Sequence, residues 1–496
     1  MRWKSLPSEI RAMILEILIN SHTKSAQYAS VCKEWQDAIE RHNFHSLNLK
    51  PQDVLTITNI MAKRDLCLMK YIWYSIELPP CNYAFSRDIG RIQRDPNEFV
   101  RGCEELFVEY KAESQAAQAI VEDGICAMLR FLNGRPHDGD MTLDINIYSP
   151  SDSERFKHIR YEPANTLDPG PMQVASHGDA DIPAQALMKL FAPTVFHNCD
   201  STGSTSNGVY KFWNTLPQAS CVTHLLLRRQ TRRQWQTHAL RQLLAQFPNL
   251  KELCVEPWRE SMEAAQPLFD KYNAATFFKP LKSSMPDQLK RLTIFEDFNE
   301  SYMISRINAP PNPRHDRITS IPLMRGLAEA SLVLQHLSAA FIVNACQFWK
   351  VCKANWVWEQ LLTLTLTSQA LWPDNHPKNI NDAIVEAAQV AKNMPKLQTM
   401  QIWNGRKGYA AVYRYEKGCH WAKITWRATW DLTLNEAAIA EWQKVAKVIV
   451  INCENELLGP VPIRSHGEAV TVLGLENVAC PVSIRQIHRE HLEMAN

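Results

Sequence analysis

Ile10, Met13, Ile14, Ile17 and Leu18 recur at i, i+3, i+4, i+7 and i+8, a spacing that predicts an amphipathic helix near the N-terminus. Pro7 suits its first turn, where a missing N–H costs nothing, and Glu9 complements the positive end of the helix dipole. Asn20-Ser21-His22 reads as the stop. A second helix follows, with Tyr28, Cys32, Trp35 and Ile39 on one face, and ends near His42-Asn43. Two helices this short bury little surface between themselves. Residues 1–45 are therefore expected as a module that docks on the rest of the chain or on a partner.

Beyond residue 45, strand-like and helix-like segments alternate, which predicts the α/β class. The strand-like ones share a loose Leu-x-x-Leu-x-Leu pattern: Val222/Leu225/Leu227, Leu250/Leu253/Val255, Leu289/Leu292/Ile294, Leu334/Leu337/Ala339, Leu361/Leu364/Leu366 and Leu397/Met400/Ile402. Helical runs lie between them, at Leu240 to Phe247, Gly326 to Ser331 and Ile384 to Met394. Each helix–turn–strand unit has one open apolar side and needs neighbours, which is the logic of a leucine-rich solenoid. The intervals are uneven, however, and no Asn or Cys ladder marks the turns: Pro257-Trp258 follow Val255, and Asp297-Phe298 stand in the same place after Ile294. Residues 46–405 are thus expected as an irregular leucine-rich-repeat-like α/β solenoid, with an ordinary α/β domain as the alternative. Fainter strands at Phe44 to Leu49, Met69 to Ile76 and Met141 to Tyr148 would begin it.

Breakers place long loops near 79–97, 161–208 and 307–317; the last contains Asn308 to Pro313 (Asn-Ala-Pro-Pro-Asn-Pro). After Gly405 the pattern turns aromatic. Tyr409 to Tyr415 and His420 to Trp430 read as a β-hairpin around Lys417-Gly418, followed by a helix near Glu436 to Lys447 and a strand at Val448 to Ile451. Residues 406–480 are expected as this hairpin-and-helix cap, and 481–496 as a flexible polar tail.

Composition narrows the function classes. Lys and Arg number 54 against 52 Asp and Glu, a net charge of +2, so a general nucleic-acid or membrane-surface binder is not expected. The 13 cysteines are scattered without a C-x-x-C pair, which predicts reduced thiols in cytoplasm or nucleus. Glu9, Arg11 and Glu16 interrupt the first apolar stretch, so neither a signal peptide nor a membrane span is expected.

The most specific string is Leu6-Pro7-x-Glu9-Ile10, then Ile14-Leu15, then Val31-Cys32-Lys33-x-Trp35. It resembles the F-box over about the first 45 residues. The resemblance implies that Leu6 and Pro7 form the opening segment that inserts into the adaptor of cullin–RING ubiquitin ligases. It implies that Ile10, Ile14 and Leu18 lie on the contact helix, and Val31, Cys32 and Trp35 on the second helix and its packing core. Ala26, Tyr28 and Ala29 stand where many F-boxes carry leucines. The wider layout, with Arg41-His42-Asn43-Phe44, the Arg228 to Arg233 segment and Glu256-Pro257-Trp258-Arg259, is similar to fungal F-box proteins with a large uncharacterised C-terminal domain. Such a protein is a non-catalytic subunit of an SCF-type ligase: it needs no cofactor and raises a protein target's effective concentration near transferable ubiquitin. The alternatives are a scaffold outside any ligase, with the helices capping the array, and an enzyme of unknown type in the C-terminal region.

Arg228, Arg229, Arg232 and Arg233 follow directly on a strand, and paired guanidiniums suit phosphate or carboxylate. They are expected as an anion- or target-binding patch, as a solvated face, or as structural partners of Glu252 and Glu256. The tryptophans of 349–358 and 421–430 read as core packing rather than a recognition surface. Enzyme motifs fail. Gly203 to Gly208 lacks the lysine of a phosphate loop, and no Gly-x-Ser-x-Gly elbow occurs. His197 to Asp200 lacks partners at any recognisable spacing. His488-x-x-His491 with Glu490 lacks a third fixed ligand, so no metal site is expected.

Overall fold

The computed structural model describes residues 3–21, 25–62, 68–81, 116–135, 139–166, 184–191, 215–235, 237–259, 288–299, 317–447, 450–459 and 462–495, with residues 266 and 270. Among the described residues, twelve strands form one open sheet in chain order: β1 Ser46–Leu49, β2 Tyr71–Glu77, β3 Thr142–Tyr148, β4 His224–Leu227, β5 Glu252–Val255, β6 Arg291–Phe295, β7 His336–Ala340, β8 Thr363–Thr367, β9 Thr399–Arg406, β10 Tyr409–Lys417, β11 Ala422–Ala428 and β12 Asn452–Leu457. β1 to β9 are parallel, β10 runs antiparallel to β9 and β11, and β12 is parallel to β11. The helices are α1 Ser8–Ser21, α2 Lys33–His45, α3 Val54–Met61, α4 over 116–132, α5 Pro150–Arg155, α6 Ala184–Leu190, α7 Thr237–Leu244, α8 Ile321–Ser331, α9 Ala345–Val351, α10 Pro377–Ala391, α11 Glu436–Ala446, α12 His466–Val472 and α13 Pro481–Ala495.

The leucine pattern sets the register. Leu225, Leu253, Leu292, Leu337, Leu364 and Met400 are successive cross-strand partners, and so are Leu227, Val255, Ile294, Ala339, Leu366 and Ile402. Side chains alternate along a strand, so both rows share one face. There they form one core with Ile57, Ile125, Leu129, Leu243, Leu327, Ile384 and Trp442 from the helices. A slip of one residue would carry every leucine out of this core to the opposite face. Several helices begin at side-chain caps: Ser320 Oγ accepts from Leu323 N, Asn344 Oδ1 from Cys346 N, and Asn435 Oδ1 from Ala438 N. Of the tryptophans expected in the core, Trp349, Trp358 and Trp426 are buried, Trp356 and Trp430 are half-buried, and Trp421 is exposed.

The other face carries Asp144, Leu226, Cys254, Thr293, Ser338, Thr365, Gln401 and Arg414 in one transverse row. α12 and α13 lie on it. Phe295, Phe341, Trp403 and Val412 pack there against Val470, Leu473 and Ile487. Arg414 and Arg427 donate to the carbonyls of Val472, Leu473 and Gly474, satisfying and charge-compensating the C-terminal end of α12.

Three expectations are corrected. Residues 481–495 are a helix, not a flexible tail, because Val482, Ser483, Gln486, Ile487 and Glu490 are buried on one side of it. The last strand among the described residues is Asn452–Leu457, beyond the expected Val448 to Ile451, of which 448 and 449 lie outside the described residues; Asn452, Glu454 and Glu456 keep it polar and hide its period. The region 161–208 contains α6, whose Ala186, Leu187 and Leu190 pack with Phe156 and Trp258. Most of 79–97 and 307–317, and His197 to Gly208, lie outside the described residues.

Candidate functional site

Two features stand out: an N-terminal helical pair with an apolar face turned outward, and a buried band of arginines under α13.

In the N-terminal module, Pro7 precedes α1, and Cys32, in extended conformation, starts α2. α1 packs inward through Leu15, which is buried, and through half-buried Leu18 and Ile19. Ile10, Met13, Ile14 and Ile17 all face outward, and Val31 beside α2 is exposed as well; Ile17 and Val31 are 64% and 58% accessible. This arrangement inverts the usual amphipathic helix, whose larger apolar stripe is the one that is buried. Leu6 is half-buried and Pro7 exposed. The opening segment is held by polar contacts. Arg11 donates to the Leu6 carbonyl and pairs with Glu34 at 2.9 Å, while Trp3 Nε1 donates to the other Glu34 oxygen at 2.8 Å. The Trp3 indole and then the Arg11 guanidinium hold the Glu34 carboxyl below its usual range. Trp35 packs edge-on against Trp3 and Tyr28, and Ile39 is fully buried. α2 runs into β1 without a linker, and Phe44 and Leu47 join the main core. Leu6, Pro7, Ile10, Ile14, Leu18, Val31, Cys32 and Trp35 are thus brought together on one short module.

The arginine run does not form an accessible patch. Arg228, Arg229, Arg232 and Arg233 are all buried, and their carboxylate partners come from distant elements rather than from Glu252 and Glu256. Arg228 pairs with Asp144 of β3 at 2.9 Å; Asp144 also accepts from Tyr71 at 2.6 Å. Arg229 grips Glu490 of α13 with both guanidinium ends and pairs with Asp297. Arg232 shares Glu490, and Arg233 pairs with Asp152 of α5. The ring of Trp258 lies beside both Arg229 and Arg232, and its Nε1 donates to the Arg229 carbonyl. Glu252 instead pairs with Arg291 on the surface, and Glu256 accepts from the amides of Arg229 and Cys480 and the hydroxyl of Ser483. A buried cation keeps its charge only if it is paired, so each guanidinium here already has its anion. Burial alone would raise the Glu490 pKa, but Arg229 and Arg232 outweigh it and hold the carboxyl well below the usual range.

His466 completes the band. Its Nε2 lies 2.8 Å from Asp297 Oδ1, and its ring stacks on Phe298. Burial pushes it down to about 4, a shift that the Asp297 hydrogen bond only partly offsets. Glu490 serves the arginines and His491 Nδ1 bonds the Ile487 carbonyl, so these two residues of the His-x-x-His segment are taken up by structural contacts. Among the described residues, no group of three or more His, Cys, Asp or Glu is placed to hold a metal ion. No disulfide joins the described cysteines. No helix among the described residues is long and apolar enough to cross a membrane.

Sequence reasoning did not identify Asp144, Asp152, Asp297, His466 and Glu490 as partners. A signal for some of them existed. Aligning the strands by their leucines sets Arg228-Arg229 level with Glu256-Pro257 and with Phe295-Glu296, one residue short of Asp297.

Residues 284–479 match the model of a family of unknown function (DUF6546). The match runs from ahead of β6 to just before α13, so the Arg229–Glu490 pair lies outside it at both ends. No curated protein matches the chain.

Proposed function

We propose that the chain is the substrate-recognition subunit of an SCF-type cullin–RING ubiquitin ligase, a non-catalytic role. The observation that carries this reading is the outward apolar face of α1: Ile10, Met13, Ile14 and Ile17, with Val31 beside them, are exposed in this structure. A soluble chain rarely exposes so dense an apolar stripe unless a partner covers it. A helix laid in a groove, anchored by a few apolar side chains, is the binding mode that such a stripe suits. The Leu6-Pro7 segment and the Trp35 core support the F-box reading of the same module. The direct run of α2 into β1 supports a rigid relation between adaptor and target regions, which a ligase needs to position its target.

The rest of the chain is then an irregular leucine-rich-repeat-like array that holds a protein target, working in cytoplasm or nucleus. Strand order that follows chain order, with leucines in transverse rows, supports that description. The buried state of Arg228, Arg229, Arg232 and Arg233 moves the target surface away from them.

The test is co-purification with the F-box-binding adaptor, comparing the chain with a Leu6→Ala/Pro7→Ala/Ile14→Ala variant. The expected result is a complex with the wild type and none with the variant. Equal recovery of adaptor by both would remove the assigned interface.

A further inference from the structure

Among the described residues the sheet ends at β12, and its outer edge carries a second feature that does not rest on the ligase reading. Leu458 N donates to Ala428 O at 2.7 Å, while Ala428 has Leu457 as its Cα partner. In a parallel ladder a residue bonds to both neighbours of its partner. The amides and carbonyls of Glu454 and Glu456 therefore serve β11, and those of Cys453, Asn455 and Leu457 point away from the sheet. Those same three residues are exposed; Leu457 is 62% accessible, and Val450 just before the strand 77%.

Natural sheets guard such edges with lysine, proline or a bulge. Residues 452–457 (Asn-Cys-Glu-Asn-Glu-Leu) have none of these. Their charges are two carboxylates on the polar face. Glu454 pairs with Lys423 at 2.5 Å and Glu456 with Arg427 at 2.8 Å, both cations of β11. Lys423 in turn lies opposite Glu416 of β10. On this face Arg414 accompanies Glu416 on β10, β11 carries the cations Lys423 and Arg427, and the outermost charges, on β12, are both carboxylates, so an added strand would meet Glu454 and Glu456 with cations. A second copy of the chain does not fit, because antiparallel self-pairing would set Glu454 and Glu456 beside their own counterparts.

We propose that the outer edge of β12 is a docking site for an extended segment of another protein with Lys or Arg at alternate positions, added as a thirteenth strand. Backbone bonds to Cys453, Asn455 and Leu457 hold the segment, and Glu454 and Glu456 select its charge. Its other face meets Leu457, which favours apolar residues between the cations.

The test uses the full chain and a fluorescein-labelled peptide, Thr-Lys-Val-Arg-Val-Lys-Thr, followed by anisotropy, with an acidic peptide carrying Glu for each cation as control. Leu457→Pro removes one outward N–H and no β11 bond, so the strand itself persists. Saturable binding of the basic peptide alone is expected, weakened about tenfold by Leu457→Pro, as loss of a strand-addition contact predicts. Glu454→Gln/Glu456→Gln should weaken it and flatten its salt dependence. Absence of binding, equal binding of the acidic peptide, or indifference to Leu457→Pro would each overturn the proposal.

Discussion

Arg229 Nη2 lies 2.6 Å from Glu490 Oε2, and Nη1 3.0 Å from Oε1, across 261 residues of chain. This bidentate pair, shared with Arg232, fastens the C-terminal helix to the end of β4, and Arg229 also reaches Asp297 just past β6. Replacing Glu490 by Ala leaves two guanidiniums buried without their shared anion. The expected loss is about 3–5 kcal/mol of stability, read from urea denaturation. The exposed Glu252–Arg291 pair provides the contrast: Glu252→Ala should cost no more than about 1 kcal/mol.

Close packing makes a second prediction. A Cβ on Gly405 would lie 2.3 Å from the Ala469 Cβ of α12, and one on Gly467 would lie 2.8 Å from Ile487 of α13. The two glycines let α12 sit between β9 and α13. Gly405→Ala should therefore cost about 1–3 kcal/mol by overpacking. Pairing it with Ala469→Gly should recover part of that loss, measured by thermal melting.

Acid should weaken the fold in a defined window. His466 is neutral when folded, with a pKa of about 4 against the usual 6.5. Asp297, His491 and Arg229 face it, and burial dominates over them. A depressed pKa gives stability that is full above the unfolded value and is lost as pH falls through the folded one. Between about pH 6.5 and 4 this amounts to about 3 kcal/mol. Asp297 and Glu490, also held below their ordinary values, add further loss below about pH 4.5. Denaturation midpoints measured across this range should fall steeply for the wild type and less steeply for His466→Gln.

The sheet was legible in the sequence because its determinant is local. Leu225, Leu253, Leu292, Leu337, Leu364 and Met400 each sit in a short apolar run that announces its own strand. The hairpin of β10 and β11 was equally plain from Tyr409 to Trp430. β12 was misplaced because an edge strand need not be apolar, and Glu454 and Glu456 answer cations on β11 rather than a core. The arginine run looked like a surface feature because charge is usually solvated. Its partners, Asp144, Asp297 and Glu490, are reached only through tertiary contact, and nothing local marks Glu490 as buried. The outward stripe of α1 shows in the spacing of its isoleucines, but which way it faces depends on Leu15 and on the Trp3–Glu34–Arg11 contacts.

The stripe provides the most direct test of the account. Ile14 and Ile17 are solvent-exposed, so an Ile14→Asp/Ile17→Asp variant should melt within a degree or two of the wild type, since surface changes away from special features stay within about 0.5 kcal/mol. Titrating the purified F-box-binding adaptor against both proteins by calorimetry is the measurement. The account predicts saturable binding to the wild type and none detectable to the folded variant. Equal affinity for both would contradict it.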